Sequence, residues 1–288
     1  MKVITSISEL QHILANYHQE QVAFVPTMGC LHQGHLSLIR KAKRLADIVV
    51  VSIYVNPLQF NDKNDLKNYP KPFETDIQLC QEEGVDFVFH PENLYANTPM
   101  QVALHVNNLS QSLCGLHRPG HFDGMITVVN ILFNIIRPDL AIFGEKDFQQ
   151  LSIIRHMVAD LHMPIDIIAG ETVREQDGLA LSSRNRHLTA EQRRQAAAIP
   201  QALQAVIQTY QTNKAIPSCL AAGQNILDAH GIKPDYFGVY DEQHLQAVNS
   251  LTTHDPIPAR VFIAATIGST RLIDNMPLIT PPAKDTQP

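Results

Sequence analysis

Five short runs of apolar residues constrain this chain more than any other feature: VAFV (22–25), IVVVSIYV (48–55), VDFVFHP (85–91), LAIF (140–143) and IDIIAG (165–170). They are of strand length, rich in β-branched residues, and mostly lack the strict apolar–polar alternation of a half-exposed strand. Strands of that kind are buried on both faces, which predicts a parallel sheet with helices on both sides. The intervening segments carry helical periods. A helix opens near Gly34, with Leu38, Ile39, Ala42 and Leu45 on one face and Arg40, Lys41, Lys43 and Arg44 largely on the other. Further helices are expected over about 74–83, within GMITVVNILFNII (124–136) and after Lys146. Asn56-Pro57 ends the second strand and Arg137-Pro138-Asp139 the long helix, because proline lacks the N–H that either structure needs. The polar, turn-rich NDKNDLKNYPKP (61–72) reads as a mobile surface loop.

The texture changes after about residue 174. Thr189 and Gln192 form a capping-box pattern opening a helix in LTAEQRRQAAA, and helical sequence continues to about His230. YFGVYD (236–241) and RVFIAATIG (260–268) read as strands. The expected division is therefore an α/β domain over 1–174 and a smaller α+β domain over 175–288, with TPPAKDTQP a frayed tail.

Charge and cysteine content narrow the function classes. A formal net charge of −6 argues against a broad nucleic-acid-binding face. The four cysteines, Cys30, Cys80, Cys114 and Cys219, include no CxxC pair, so reduced cytoplasmic thiols are expected. MKVITSISELQHIL has no signal-peptide pattern, and no apolar run approaches the roughly 20 residues that span a bilayer.

Four stretches fall where strands give way to helices or turns and carry residues suited to phosphate or small polar ligands. PTMGCLHQGH (26–35) places His32 and His35 at a helix start, where backbone N–H groups and the helix dipole favour anions. Ordinary helix-start polar residues, or a metal pair on one helix face, are the other readings of those histidines. FGEKDFQQ (143–150) offers close backbone approach at Gly144, a point charge at Lys146, a ribose acceptor at Asp147, and neutral amides at Gln149 and Gln150. In TVREQDGLALSSRN (172–185), Ser182, Ser183 and Arg184 form a donor cluster suited to phosphates. VSIYVNPLQF (51–60) brings Gln59 to the carboxyl edge of the sheet, where parallel α/β proteins bind ligands. His121 in RPGHFDGM (118–125) reads better as a structural histidine at a turn than as a catalytic one.

Together with TRLIDN (270–275), these stretches resemble the pantothenate synthetases, or pantoate–β-alanine ligases, in order from about residue 22 to residue 276. HxGH alone is shared with a wide nucleotidylyltransferase and class I aminoacyl-tRNA synthetase superfamily; VNPLQF, FGEKDFQQ and SSRN are more specific. The resemblance implies a Rossmann-like N-terminal domain, a smaller C-terminal domain, a cytoplasmic homodimer, and Mg²⁺-ATP as co-substrate. It implies that ATP and (R)-pantoate give pantoyl adenylate and pyrophosphate, after which β-alanine attacks to give pantothenate and AMP. By the same resemblance Met28, Gly29, Cys30, Leu31, His32, Gln33, Gly34 and His35 line the ATP site, with His35 in the proton-donor position. Gly144, Glu145, Lys146, Asp147, Val173, Leu181, Ser182, Ser183 and Arg184 complete it. Gln59 and Gln150 hold pantoate, and Gln59 also meets β-alanine. His32, His35, Lys146 and Arg184 are the groups expected to stabilise charge during adenylation. Cys30 stands where the family usually has alanine, and Ile131 where it usually has lysine.

Two other functions use the same motifs. A nucleotidylyltransferase acting on a phosphorylated acceptor would use HxGH but leave VNPLQF unexplained. A non-catalytic nucleotide-binding regulator would leave Gln59 and Gln150 idle. A short acidic chain without an obvious tRNA-binding domain disfavours an aminoacyl-tRNA synthetase.

Overall fold

A computed structural model describes residues 1–95, 100–250 and 257–279, which form two compact units. The first comprises Met1–Glu145 and Gln149–Val173; the second takes Lys146–Phe148 and the chain from Arg174. The expected frayed tail, 280–288, lies outside the described residues.

The first unit runs β1 (Lys2–Ile4), α1 (Ile7–Leu14), β2 (Val22–Thr27), α2 (Gln33–Leu45), β3 (Ile48–Ile53), α3 (Lys63–Asn68), α4 (Phe73–Glu82), β4 (Phe87–Phe89), α5 (Cys114–His117), α6 (His121–Ile136), β5 (Leu140–Gly144), α7 (Phe148–Asp160) and β6 (Asp166–Gly170). Its six strands pair in parallel in the order β1-β4-β3-β2-β5-β6. Side-chain alternation sorts the two faces. Ala23, Val25, Val49 and Val51 pack in one core with Leu36, Ile39 and Ala42 of α2, while the Phe24 ring meets Phe133 of α6 edge-on at 6.2 Å. This is the doubly covered sheet that the buried β-branched runs require.

Strand order reverses between β2 and β5, the place where open α/β sheets bind ligands. The ladder also opens there. β2 pairs with β5 at Ala23 and Phe24, yet continues beside β3 to Thr27. Pro26, which has no N–H for a ladder, lies where pairing with β5 has stopped. The carboxyl ends of β2 and β5 therefore separate, and the chain leaves them as MGCLHQGH and EKD.

The second unit contains α8 (Ala190–Ala196), α9 (Ala198–Thr212), α10 (Ile216–Ala229) and an antiparallel sheet of β7 (Pro234–Asp241), β8 (Ala259–Ile267) and β9 (Thr270–Ile279). Ile199, Leu203 and Val206 of α9 pack with Val261, Ile263 and Ala265 of β8. The capping box forms as its sequence predicts: Thr189 Oγ1 accepts from Gln192 N at 3.2 Å, and Gln192 Oε1 accepts from Thr189 N at 3.0 Å.

Several local expectations change. The 61–72 segment is not loop throughout: Asp62 caps the short helix α3, its Oδ1 accepting from Asn64 N at 2.7 Å. Leu45 is 42% exposed rather than on the buried face, because α2 ends there and the packed stripe stops at Ala42. The long helix α6 begins at His121, three residues before the expected start. Sequence patterning also passed over β1, α1 and β9. Two of these are short, and β9 carries polar residues on a strand buried at Asp274 and Asn275.

Candidate active site

The PTMGCLHQGH stretch follows β2 through a tight turn. Gly29 and Cys30 both have positive φ, +81° and +53°, a conformation that glycine adopts freely and cysteine does not. In such a turn successive N–H groups can converge on one anion. Here the protein supplies that anion. The buried carboxylate of Asp76, on α4, accepts from Cys30 N at 2.8 Å and Leu31 N at 2.7 Å. Thr27 Oγ1 accepts from Gly29 N at 3.1 Å. The expectation that this turn presents its backbone amides to phosphate is corrected for these three N–H groups, which are committed internally.

His32 caps α2, its Nδ1 accepting from Gly34 N at 3.2 Å; His35 Nδ1 accepts from His32 N at 3.4 Å. The helix-start role is therefore real. With Nδ1 as acceptor, each neutral ring carries its proton on Nε2, so the outer nitrogen is a donor. The ring centroids lie 4.1 Å apart. A Cβ on Gly34 would stand 2.9 Å from His32 Cε1, so a larger residue there would displace the His32 ring.

Gln59 joins this turn. It ends the 3₁₀ turn Pro57–Gln59 after β3, is buried, and donates from Nε2 to Met28 Sδ at 3.1 Å, while its Oε1 accepts from Asn56 Nδ2 at 3.0 Å. Asn56 Nδ2 also donates to Gly124 O at 3.0 Å, and its Oδ1 accepts from the Tyr95 hydroxyl. Burial pushes the Tyr95 hydroxyl well above the ordinary phenol range, so it remains a donor. The RPGHFDG stretch completes the mounting. His121 Nδ1 lies 2.7 Å from the Gln59 carbonyl, and a Cβ on Gly124 would meet Leu58 O at 2.3 Å. His121 thus has the structural role expected of it.

The two neighbouring glutamines of FGEKDFQQ part company. Gln149 faces inward: Oε1 accepts from Cys114 N at 2.9 Å, and Nε2 donates to Leu109 O and Ser112 O at 2.8 Å each. Its buried amide holds the 109–114 segment rather than offering itself to a ligand, whereas Gln150 is half-buried in the first turn of α7. Gly144 ends β5, and Glu145 follows it in the first unit.

The remaining candidates, apart from half-buried Val173, belong to the second unit. Lys146 Nζ lies 3.8 Å from Asp147 Oδ2. Ser182 caps the 3₁₀ turn Ser183–His187, its Oγ accepting from Arg184 N at 3.3 Å. Leu181, Ser182, Ser183 and Arg184 are all half-buried, while Asn185 beneath them is buried and donates to Glu175 Oε1 at 2.7 Å and Ala180 O at 3.1 Å. Arg193 secures the preceding hairpin by reaching Glu175 at 2.8 Å and Asp177 at 2.7 Å, which holds both carboxyls below their ordinary range. Sequence reading missed Asp76, Asn56, Asn185 and Asn275. Asp76 and Asn275 bind backbone far along the chain, whereas Asn56 and Asn185 bond partly within the quoted stretches, whose letters do not show that these side chains are buried.

A family model described as pantoate-beta-alanine ligase matches residues 2–277. The chain belongs to the pantoate-beta-alanine ligase family. It is 44% identical over 282 residues to a pantothenate synthetase of Myxococcus xanthus, covering 96% of both chains. It is 45% identical over 286 residues to one of Pseudomonas putida, covering 96% of this chain and 97% of that one. Its fold matches the crystal structure of pantothenate synthetase from Thermus thermophilus with a TM-score of 0.90 at 39% identity, over 97% of this chain and 100% of the other. A second match, at a TM-score of 0.80 and 36% identity over 98% and 100% of the chains, is the pantoate-beta-alanine ligase of Francisella tularensis complexed with beta-gamma ATP and beta-alanine.

Proposed function

We propose that this protein condenses (R)-pantoate with β-alanine, using ATP, to give pantothenate, AMP and pyrophosphate through a pantoyl-adenylate intermediate. The observation that carries the reading is the family match over residues 2–277, two of whose motifs, PTMGCLHQGH and FGEKDFQQ, leave the sheet at its strand-order reversal. The Francisella relative's complex with beta-gamma ATP and beta-alanine supports the substrate assignment.

In the first step a pantoate carboxylate oxygen attacks the α-phosphorus of ATP and pyrophosphate leaves. Negative charge grows on the phosphoryl oxygens and the leaving group, so fixed donors and positive charge do most of the catalysis. His32 and His35 present Nε2–H donors from the start of α2, with His35 in the proton-donor position; Lys146, Ser182, Ser183 and Arg184 add charge and hydroxyls. ATP contacts are assigned to Met28–His35, Gly144–Asp147, Val173 and Leu181–Arg184. In this division residues 1–174 carry pantoate and part of the ATP set, and 175–288 the rest. Gln59 and Gln150 hold pantoate with neutral amides, and Gln59 meets β-alanine. The amine then attacks the acyl carbon and AMP leaves. No protein nucleophile is needed.

ATP carries Mg²⁺ in this reading. Among the described residues no group of three or more His, Cys, Asp or Glu is arranged to hold a metal. The ion would arrive with the nucleotide, as the Mg²⁺ complex of ATP. Its contribution is to neutralise phosphate charge. The protein acts as a cytoplasmic homodimer in the same reading; sedimentation as a 32.1 kDa species at micromolar concentration, or recovery in a membrane fraction, would contradict that. All four cysteines are buried, and among the described residues no helix is long and apolar enough to cross a membrane.

Product analysis tests the reaction. ATP, Mg²⁺, pantoate and β-alanine should yield AMP and pyrophosphate, and pantoate without β-alanine should support exchange of labelled pyrophosphate into ATP. Release of ADP and phosphate would overturn adenylation. Transfer of AMP to a phosphorylated acceptor would favour the nucleotidylyltransferase alternative.

A further inference from the structure

The TRLIDN stretch has no role in the reaction as described, yet its last two residues are the most completely buried polar side chains among the described residues of the second unit. They lie on β9, with Asp274 2% and Asn275 3% exposed. Arg174 binds the Asp274 carboxylate through both terminal nitrogens, at 2.7 and 3.0 Å, and reaches Asn275 O at 3.4 Å. The Asn275 amide is fixed in one orientation. Its Oδ1 accepts from Arg260 Nη1 at 2.7 Å, so its Nδ2 faces the other way and donates to the carbonyl of Lys146 at 3.0 Å. Arg260 is itself held by Glu242 Oε1 at 3.0 Å, and its guanidinium lies 4.1 Å from the Phe148 ring centroid. Both ends of Lys146–Phe148 are thereby attached to β8 and β9, and these three residues group with the second unit although their chain neighbours belong to the first.

We propose that Asn275 is a positioning residue for Lys146: its buried amide fixes the Lys146 backbone and so the direction in which the ammonium reaches ATP's phosphates. This rests on the assignment of Lys146 to those phosphates made above. The arrangement tolerates no carboxylate in place of the amide. Asn275→Asp keeps an acceptor for Arg260 but sets an oxygen against the Lys146 carbonyl, which pushes that segment away. Asn275→Ala removes the tether without adding repulsion.

The test compares the two half-reactions. Pantoate-dependent exchange of pyrophosphate into ATP reads adenylation; pantothenate formation from supplied pantoyl adenylate and β-alanine reads the second step, in which the β- and γ-phosphates are already gone. Misplacing a reacting group by about an ångström typically costs on the order of 10²-fold. Asn275→Asp should slow adenylation by about that factor and Asn275→Ala by about tenfold, with the second step within about twofold of the unaltered protein. A merely structural role would lower both steps together, and that result overturns the proposal. Should Asn275→Asp not fold, the cycle of Asn275→Ala with Lys146→Ala decides: the double variant should adenylate no more slowly than Lys146→Ala alone, and additive losses overturn the proposal. Normal adenylation by Lys146→Ala would instead remove the assignment on which the proposal rests. A slow Lys146→Ala beside a normal Asn275→Asp rejects the proposal and leaves that assignment standing.

Discussion

The histidine turn and the lysine segment carry donors assigned to the same phosphates, but they are held in different ways. His32 and His35 sit at a helix start whose caps are their own Nδ1 atoms, and the turn before them closes around one carboxylate, Asp76. Lys146 has no such local device. Its carbonyl is tethered to Asn275, 129 residues away, and the tether depends on Arg260, Glu242 and the Arg174–Asp274 pair. The histidine caps are local and sensitive to small steric changes within the turn, whereas the Asp76 carboxylate reaches the turn from α4. A long-range buried network is sensitive to any member, because each buried polar atom that loses its partner is left without water to replace it.

A large effect that would break this comparison is expected at Asp76. Asp76→Asn leaves one oxygen to accept and turns an N–H₂ toward the second of two buried N–H groups. It should cost about 1–3 kcal/mol of stability. Adenylation should fall by about 10²-fold as the turn relaxes. Denaturant unfolding and the exchange assay measure the two. Full exchange activity in the folded variant would show that the turn does not need its internal anion.

A smaller and sharper effect is expected at Gly34. Alanine favours the helix, so Gly34→Ala should unfold at an unchanged or slightly higher temperature. Its Cβ nevertheless enters the space of the His32 ring, and adenylation should drop by about tenfold. Stability and activity moving in opposite directions would mark ring placement as the cause. Unchanged activity would mean that the cap orientation of His32 is irrelevant to catalysis.

The same contrast explains what could be read from sequence. The sheet and its helices were legible because burial on two faces writes itself as β-branched runs, and because Thr189 and Gln192 spell their capping box within four residues. The histidine turn was legible as a place, through glycines and histidines in strand-to-helix context. Its internal anion was not, because Asp76 stands 46 and 45 residues from the N–H groups it binds. The short helix α3 was read as loop because its KNDLKN sequence buries no residue and so shows no apolar stripe. Gln149 and Gln150 were indistinguishable as letters; only the fold shows that one is committed to backbone at 109–114.

The central claim is that two differently mounted groups, the His35 imidazole and the Lys146 ammonium, stabilise the same growing charge. Single-turnover rates of the two half-reactions in His35→Ala and Lys146→Ala, each first shown to fold by circular dichroism, test it most directly. Each variant should lose about 10²–10³-fold in formation of pantoyl adenylate from ATP and pantoate. Each should convert supplied adenylate and β-alanine at close to the unaltered rate. Normal adenylate formation by either folded variant would contradict the claim.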